Sequence, residues 1–404
     1  MERTIVIVGG GIIGCSTAYY LTRHPSYDPA KHRIILLEAT QIAGGASGKA
    51  GGLVALWAYP SSIVPLSFRL HAELAKEHNG KEKWGYRKVH CGQLMAHVLP
   101  KRPDSTSGSS ATGGKEAVSL EKRTDDAIGL LRAAGIPADL DWFDPFTLSG
   151  YEEMGDPGTT AQVHPYLFTT SLAKLAEDKG AEIKLGSVTE IEQLDNGTSS
   201  VKYTNKETGA PEAISATDVI ISAGPWTKAV FPRAPISALR AHSVVIRPTR
   251  TVSAYAVFTS IALPPGSSKH RPTMAAPEIY ARPDDTVYAC GEGDKIVPLP
   301  ATTADVEVDD SRCQTIIDSV GAISTELREG EVVARQACYL PNVSVRGAGP
   351  LIGPTDIKGV YLATGHTCWG IQNAPGTGKL MSEIIFDGEA KSAKISSLDP
   401  RQVL

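Results

Sequence analysis

The sequence contains little cysteine, and the arrangement of its cysteines predicts neither a disulfide framework nor a zinc site. Six occur in 404 residues without a Cys-x-x-Cys pair, and they are Cys15, Cys91, Cys290, Cys313, Cys338 and Cys368. Scattered thiols of this kind are typical of a reducing compartment. We therefore predict free thiols, no metal site and a cytoplasmic protein.

Long apolar runs, an excess of one charge and a leader segment are also missing. No stretch reaches the roughly 20 apolar residues that a transmembrane helix needs. The formal net charge of −4 favours neither nucleic acid nor an anionic membrane as a partner. A strand is predicted from Thr4, so we expect no cleavable signal or transit peptide. The expected partner is a small-molecule substrate, and the oligomeric state stays open.

Glycine, in contrast, is concentrated near the start of the chain. The apolar, β-branched run Thr4–Val8 leads directly into a Gly-x-Gly-x-x-Gly pattern at Gly9, Gly11 and Gly14, and residues 15–24 then have a helical pattern. Gly9 permits a tight turn, Gly11 lets a pyrophosphate approach the backbone, and Gly14 lets helix and strand pack closely. The N-terminus of the helix would then face the phosphates.

A second predicted strand, residues 33–37, ends at Glu38. A carboxylate at this place can accept a hydrogen bond from a ribose 2′-hydroxyl, and its charge would repel the 2′-phosphate of NADP. Because the glycine pattern lies between a strand and a helix, we predict adenine dinucleotide binding. The alternative is a glycine-rich turn without a ligand.

A second glycine-rich segment follows at residues 44–53, with five glycines in ten residues and with Ser47 and Lys49 between them. Backbone N–H groups and these two side chains can lie along an extended anion. The alternative is a flexible surface connection. The run after it has a buried pattern, which favours a cofactor-facing loop.

In this order, these features resemble the D-amino-acid oxidase superfamily of FAD oxidoreductases, which includes glycine oxidase and monomeric sarcosine oxidase. The sequence looks most similar to a fungal and plant branch known only as FAD-dependent oxidoreductases. The resemblance covers nearly the whole chain. Val188 matches a valine that meets the adenine through its backbone, and residues 217–226 resemble the strand beneath the FAD pyrophosphate.

The end of the chain carries the most specific part of the resemblance. Residues 359–366 are a predicted strand that ends in a glycine turn, and residues 367–379 lead into a helix predicted at residues 380–386. In the family, the N-terminal dipole of the closing helix faces the pyrimidine edge of the flavin. Pro375 would lie in a first helical turn, where proline is tolerated.

The resemblance implies a set of FAD contacts and a smaller set of side chains near the ring. The implied FAD contacts are Gly9, Gly11, Ile12, Ile13, Gly14, Glu38, Ala39, Thr40, Ser47, Lys49, Ala50, Gly51, Gly52, Leu53, Val188, Ser222, Ala223, Gly224, Trp226, Gly365, His366, Thr367, Trp369, Gly370 and Ile371. The catalytic candidates are His366, Trp369, Tyr339 and Tyr280. A single histidine such as His366 is more often a hydrogen-bonded core residue.

The predicted fold class is α/β, with two interleaved domains. A doubly wound, Rossmann-like FAD-binding domain is expected from residues 1–56, 152–234 and 346–404, and an α+β substrate or cap domain with a mainly antiparallel sheet from residues 57–151 and 235–345. Helices are predicted at residues 63–79, 119–134 and 311–327. Residues 101–115, rich in Ser, Thr, Gly and Pro, are predicted to be a disordered surface insertion.

The sequence departs from its relatives where they bind the substrate carboxylate. Glycine oxidase has an arginine at each of two positions that correspond to Leu340 and Cys368, and neither residue can form the paired hydrogen bonds of a guanidinium group. Replacements could come from four other arginines, namely Arg240, Arg282, Arg335 and Arg346. Sarcosine oxidase links its flavin through a cysteine in the region of Cys338, and the alternative here is a buried inert thiol.

We predict an FAD-dependent oxidoreductase that removes a hydride from a C–N bond of an amine or modified amino acid, with O2 or another acceptor reoxidising the flavin. Compared with glycine or a simple D-amino acid, the substrate would be larger, or neutral or cationic near the flavin, or held by a different arginine. One rival is a non-catalytic flavoprotein that acts as an interaction or trafficking module. Another is an NAD-dependent dehydrogenase, which the single dinucleotide motif and the flavin-type C-terminus disfavour.

Overall fold

The computed structural model describes residues 2–98, 129, 133–195, 197–264 and 274–404. The predicted insertion at residues 101–115 and nearly all of the helix predicted at residues 119–134 lie outside these ranges. The described helices are α1 (Ile12–Leu21), α2 (Ala46–Lys49), α3 (Val64–His78), α4 (Gly80–Trp84), α5 (Pro165–Glu177), α6 (Thr227–Val230), α7 (Asp310–Gly321), α8 (Thr325–Arg328) and α9 (Gly370–Asp387).

Nineteen strands are described. They are β1 (Arg3–Val8), β2 (His32–Glu38), β3 (Leu53–Ala55), β4 (Arg87–Lys88), β5 (His90–His97), β6 (Leu148–Gly155), β7 (Thr160–Gln162), β8 (Ala181–Gln193), β9 (Ser199–Asn205), β10 (Pro211–Ala216), β11 (Asp218–Ile221), β12 (Ile236–Arg247), β13 (Tyr255–Ala262), β14 (Met274–Ala275), β15 (Glu278–Ala281), β16 (Val287–Asp294), β17 (Glu331–Val343), β18 (Leu351–Pro354) and β19 (Val360–Thr364).

The first sheet has the strand order β10-β9-β8-β2-β1-β11-β19-β18, and the five consecutive strands from β8 to β19 in this order are parallel. The four residues from Ile5 to Val8 are buried on both faces, as expected for an unbroken apolar run in a central parallel strand. α1, α5 and α9 belong to the core on one face. The parallel order and the covering helices confirm the predicted Rossmann-like fold class.

The second sheet has the order β17-β12-β16-β15-β13-β5-β6, with β14 paired to β13, and it is antiparallel except between β13 and β5. α7 packs on one face together with alternate side chains of the strands. This sheet confirms the prediction of a mainly antiparallel second layer. A three-stranded sheet, β3-β7-β4, completes the described sheets.

The contacts of two elements do not follow the predicted domain boundaries. The rest of the domain division stays a prediction. α3 was assigned to the substrate domain, but its apolar side chains Leu66, Leu70 and Leu74 lie in the same core as α1 and α9. β6 pairs with β5 as far as Gly155, beyond the predicted boundary at residue 152.

β8 is a single long strand with an irregularity between Val188 and Glu190. Two element boundaries were predicted wrongly. The helix predicted at residues 311–327 is interrupted between α7 and α8, where Ser324 begins the second helix by accepting a hydrogen bond from the Leu327 N–H. The closing helix begins at Gly370, ten residues before the predicted start, so Pro375 lies inside it.

No helix among the described residues is long and apolar enough to cross a membrane.

Candidate cofactor and active site

A cavity lies where the C-terminal ends of the central parallel strands meet the second sheet. It is lined by residues from the turn after β1, α1, β2, the 44–50 loop, the turn after β11, β17 and the β19–α9 turn. A neighbouring space extends it past Ala39 and Val188. Both spaces share Gly9, Glu38 and Thr303 in their walls. Together they form one groove along the edge of the first sheet, the place where open α/β sheets bind ligands.

The glycine turn after β1 has the geometry that the sequence predicted. Gly9 has φ +112°, and a Cβ there would lie 2.6 Å from the Ser222 carbonyl oxygen. A Cβ at Gly14 would lie 2.0 Å from the Gly9 carbonyl oxygen, so this glycine permits close contact of α1 with the turn. Gly11 lines the cavity at the start of α1, where Ser47 Oγ accepts a hydrogen bond from the Ile12 N–H at 2.9 Å.

Glu38 ends β2 at the wall shared by the two spaces. One carboxylate oxygen accepts a hydrogen bond from the Gly10 N–H at 2.8 Å, and the other accepts one from the Thr40 N–H at 2.9 Å and from its hydroxyl at 3.1 Å. These contacts hold the carboxylate beside the glycine turn. The oxygen that accepts only from Gly10 retains a lone pair that a ribose hydroxyl can use.

The 44–53 loop contributes to the cavity mainly through its first half. Ser47 and Ala50 line it, whereas the Lys49 ammonium donates a hydrogen bond to the Ala337 carbonyl oxygen at 2.9 Å. Gly51 lies against the Tyr280 ring, where a Cβ would come within 2.0 Å of Cδ2. The part of the loop after Ala50 therefore joins the two sheets instead of following the groove.

The N-terminus of α9 reaches the opposite end of the cavity. Gly365, Thr367, Gly370 and Ile371 line this end, and Trp369 precedes the helix. The positive end of the helix dipole therefore points at the cavity, where it favours negative charge. Pro375 has no N–H, and it leaves the Ile371 carbonyl without its helical partner.

His366 lines the cavity but is only 3% exposed, and its Nε2 is 3.0 Å from the Thr377 hydroxyl. Burial lowers its pKa to about 3, so the imidazole is neutral at physiological pH. Tyr339 also lines the cavity, but its hydroxyl donates towards the Val297 and Pro298 carbonyl oxygens. His366 is therefore a weak base, and the Tyr339 hydroxyl is engaged by carbonyl oxygens.

Of the predicted FAD contacts, 16 line the larger space and two more, Ala39 and Val188, line the smaller one. The 16 are Gly9, Gly11, Ile12, Ile13, Glu38, Ser47, Ala50, Ser222, Ala223, Gly224, Trp226, Gly365, His366, Thr367, Gly370 and Ile371. Seven lie outside these walls, namely Gly14, Thr40, Lys49, Gly51, Gly52, Leu53 and Trp369. Their individual roles stay predictions.

Sequence reasoning missed several residues at the site. Thr303 lines both spaces from the segment between β16 and α7, and its hydroxyl contacts that of Thr40. Trp57, Phe258 and Glu278 surround the predicted Trp369 and Tyr280. The alternation in β15 was a usable signal for Glu278, because it puts Glu278 and Tyr280 on one face of the strand.

The two positions that correspond to the arginines of glycine oxidase both reach the cavity, since Leu340 and Cys368 are in its wall. Of the four replacement arginines, Arg240 is buried against Asp294, Arg335 binds the Asp310 carbonyl and Gln314, and Arg346 is exposed. Arg282 alone is close to the loop that forms the cavity wall: its guanidinium donates to the Ala50 carbonyl oxygen at 2.6 Å.

Cys338 lies behind the cavity wall and is 8% exposed. Burial raises its pKa to about 11, with Lys49 opposing the shift, so the thiol form dominates at neutral pH. A thiol in that state is a poor nucleophile. Its surroundings favour the buried inert thiol over a covalent link to the flavin.

A groove that begins at a Gly-x-Gly-x-x-Gly turn, passes an acid at the end of the second strand and ends at a second helix N-terminus defines a dinucleotide-binding protein of the flavoenzyme type. The family model described as FAD dependent oxidoreductase (DAO) matches residues 4–384, and the chain belongs to that family. FAD is therefore its cofactor, and the resemblance expected from the sequence is confirmed.

Relatives cover the whole chain. It is 38% identical over 502 aligned positions to “Putative oxidoreductase TDA3” of Saccharomyces cerevisiae, covering 99% of this chain and 94% of that protein. It is 35% identical to “Putative oxidoreductase C1F5.03c” of Schizosaccharomyces pombe, covering 99% and 98%. A solved structure, glycine oxidase from Geobacillus kaustophilus, matches with a TM-score of 0.71 at 19% identity and covers 100% of both chains.

Proposed function

We propose that this protein oxidises a C–N bond of an amine or a modified amino acid, with FAD in the groove described above and O2 or another acceptor restoring the cofactor. The observation that supports it is the groove from Glu38 to the N-terminus of α9, whose wall residue Cys368 directly precedes Trp369 of an aromatic-rich cluster on the second sheet. The structurally similar glycine oxidase is named for chemistry of this class.

The residues of the groove fit FAD in order. Glu38 and Val188 are assigned to the adenosine end, the turn from Gly9 to Gly11 to the pyrophosphate, and the backbone of α9 at Gly370 to the flavin ring. Glycine at these positions leaves room for a ligand against the backbone. Bound FAD would supply the hydride acceptor. The protein then has to hold the substrate C–H close to the ring and exclude water.

The side chains assigned to the surroundings of the flavin ring contribute by packing and by holding the backbone, and they transfer no proton. His366 is neutral and hydrogen-bonded to Thr377, so its assigned role is to hold the turn before α9, without transferring a proton. Tyr339 likewise contributes its ring, because its hydroxyl is occupied by carbonyl oxygens. All six cysteines are free thiols, which fits the proposed cytoplasmic location.

The experiment is an absorption spectrum of the purified protein followed by anaerobic titration with a panel of primary, secondary and tertiary amines. A yellow protein whose flavin bands bleach with at least one amine would support the proposal. Full occupancy by FAD with no bleaching by any amine would contradict it, and would favour the non-catalytic flavoprotein.

A further inference from the structure

The face of the second sheet that meets the cavity carries a carboxyl group at its centre. On β15, Ile279 and Ala281 point into the core that contains α7, so Glu278 and Tyr280 point to the opposite face. The register places Glu278 between Phe258 on β13 and Cys290 on β16. The acid thus lies in a cross-strand row in which the next polar side chains, Gln93 and Ser243, are uncharged.

An aromatic cluster lies beside this carboxyl group, through Phe258 on the neighbouring strand and through Tyr280, whose hydroxyl contacts it. The Trp57 ring lies 5.5 Å from that of Trp369 and 6.1 Å from that of Phe258, both in edge-on orientation. Phe258 is 6.0 Å from Tyr280, and Tyr59 is 5.9 Å from Trp369. Five rings from four separate parts of the chain therefore form one continuous group, which we name the aromatic chamber.

The aromatic chamber adjoins the flavin end of the cavity. Cys368 lines the cavity, and the next residue, Trp369, belongs to the chamber. Tyr280 touches Gly51, the neighbour of the cavity-lining Ala50. The chamber thus lies next to two wall residues, Ala50 and Cys368, through their neighbours in sequence.

Within the described residues, the groups that act on the Glu278 carboxyl are Tyr280 and Cys290, and neither is a cation. The Tyr280 hydroxyl donates a hydrogen bond to Oε2. Burial raises the pKa of this carboxyl, while these hydrogen bonds oppose the shift. A buried carboxylate without an opposite charge is costly, and a cationic ligand would offset that cost.

Aromatic faces with an acid beside them are the arrangement that binds alkylated ammonium groups, because the ring quadrupole attracts the cation and the methyl groups bury apolar area. We propose that the aromatic chamber binds a cationic, N-alkylated amine, with Glu278 as its counter-ion. The inference rests on the proposed function in one respect, that the flavin ring occupies the adjoining cavity, and it specifies the substrate class of that site. A free carboxylate on the substrate would meet the Glu278 charge at close range and be disfavoured.

The first experiment compares two probes of the same shape on the wild-type holoenzyme, with perturbation of the flavin absorption spectrum as the readout. Choline carries the trimethylammonium group, and 3,3-dimethylbutan-1-ol replaces its nitrogen with carbon. Choline should bind about tenfold more tightly than the neutral alcohol, a charge effect of the size known for desolvated cation–π sites. Equal affinities, or tighter binding of acetate than of choline, would overturn the proposal.

The second experiment uses Glu278→Gln, which keeps the shape and removes the charge. Its affinity for choline should fall about tenfold, while that for the neutral alcohol changes less than about twofold. Glu292→Gln is the matched control, because Glu292 is an exposed acid on the adjacent strand β16. An unchanged affinity for choline in Glu278→Gln would contradict the assignment. If this variant does not fold, the wild-type comparison of the two probes still decides.

The results separate this inference from the proposed oxidation. Charge-selective binding of choline without bleaching by any amine would overturn the oxidation and support the cation site. Bleaching by amines together with equal binding of the two probes would support the oxidation and overturn the cation site.

Discussion

The imidazole Nε2 of His71 lies 3.0 Å from the backbone carbonyl oxygen of Ile371, 300 residues later in the chain. This carbonyl would normally accept from the N–H four residues on, but that residue is Pro375, which has no N–H. His71 Nδ1 has no hydrogen-bond partner, so the proton belongs on Nε2 and the imidazole donates. A side chain of α3 thus completes the first turns of α9, the helix whose N-terminus reaches the cavity.

Replacing His71 by phenylalanine should therefore destabilise the fold. The Ile371 carbonyl would be buried without a donor, which costs about 1–3 kcal/mol of unfolding free energy. The measurement is urea unfolding at neutral pH. His97→Phe is the control, since His97 is exposed on β5 and should change stability by less than about 0.5 kcal/mol. Equal stability of the wild type and His71→Phe would mean that this hydrogen bond contributes nothing.

Pro375→Ala supplies the missing N–H, so it tests the same relationship from the other side. In the Pro375→Ala variant the Ile371 carbonyl can regain its helical donor. The loss of unfolding free energy caused by His71→Phe should then be smaller by about 0.5–3 kcal/mol, the range for directly coupled residues. A double-mutant cycle of urea unfolding measures this coupling. Strict additivity of the two substitutions would refute the link between the proline and the histidine.

The same histidine predicts a pH dependence of stability. Burial lowers the pKa of His71 to about 4 and that of His366 to about 3, from an ordinary value of 6.5. Below pH 6.5 the unfolded state binds protons that the folded state does not, so stability is fully present above this pH and is lost progressively towards pH 4 and below. Urea midpoints measured from pH 7.5 to 4 should fall steadily, and His71→Gln should show a shallower decline. A parallel decline in both proteins would contradict the assignment to His71.

The nucleotide end of the groove gives a separate prediction. Glu38→Ala should weaken FAD by about 1–3 kcal/mol, the range for hydrogen bonds to a charged group and their loss. Gly11→Val should weaken it further, because Gly11 lines the cavity and a larger side chain would occupy the space the pyrophosphate needs. Flavin fluorescence on reconstitution measures both affinities. Glu182→Ala, which removes an exposed acid from β8, is the control. Unchanged affinity for FAD in both site variants would show that the nucleotide binds elsewhere.

Local rules predicted the first part of the site well. The turn from Gly9 to Gly14 follows from three glycines between a strand and a helix, and Glu38 follows from the end of β2. These features depend on residues close together in sequence, so no tertiary knowledge was needed. The likeness to a family added the order of the later segments, which the composition of a strand or turn alone does not specify.

Contacts between residues far apart in sequence explain the predictions that were wrong or missing. A proline inside α9 violates the local rule for helices, and the donor that offsets it comes from His71, far away in sequence. Lys49 was predicted to lie along an anion, but its ammonium binds the Ala337 carbonyl on β17. Glu278 was overlooked because strand alternation gives two faces without saying which one meets the cavity. Each of these depends on which elements become neighbours in the fold.

The substrate range supplies the last prediction: glycine, sarcosine and simple D-amino acids should reduce the flavin poorly. Leu340 and Cys368 line the cavity where glycine oxidase has arginines, and neither can donate paired N–H bonds to a carboxylate. A carboxylate there would lose its water without a compensating bond, and a site lacking such a partner can discriminate by roughly 10⁴-fold. Anaerobic bleaching rates at millimolar amino acid, compared with those for N-alkylated amines without a carboxylate, measure the difference.

Rapid, complete bleaching by glycine or D-alanine would show that another cation holds the carboxylate. Arg335 is one of the four replacement arginines, but its guanidinium donates to the Asp310 carbonyl oxygen and to Gln314. Arg282 is the better choice, because it is buried beside the cavity loop and its Nε has no hydrogen-bond partner. Arg282→Met should then abolish bleaching by glycine, whereas Arg335→Met should leave it intact.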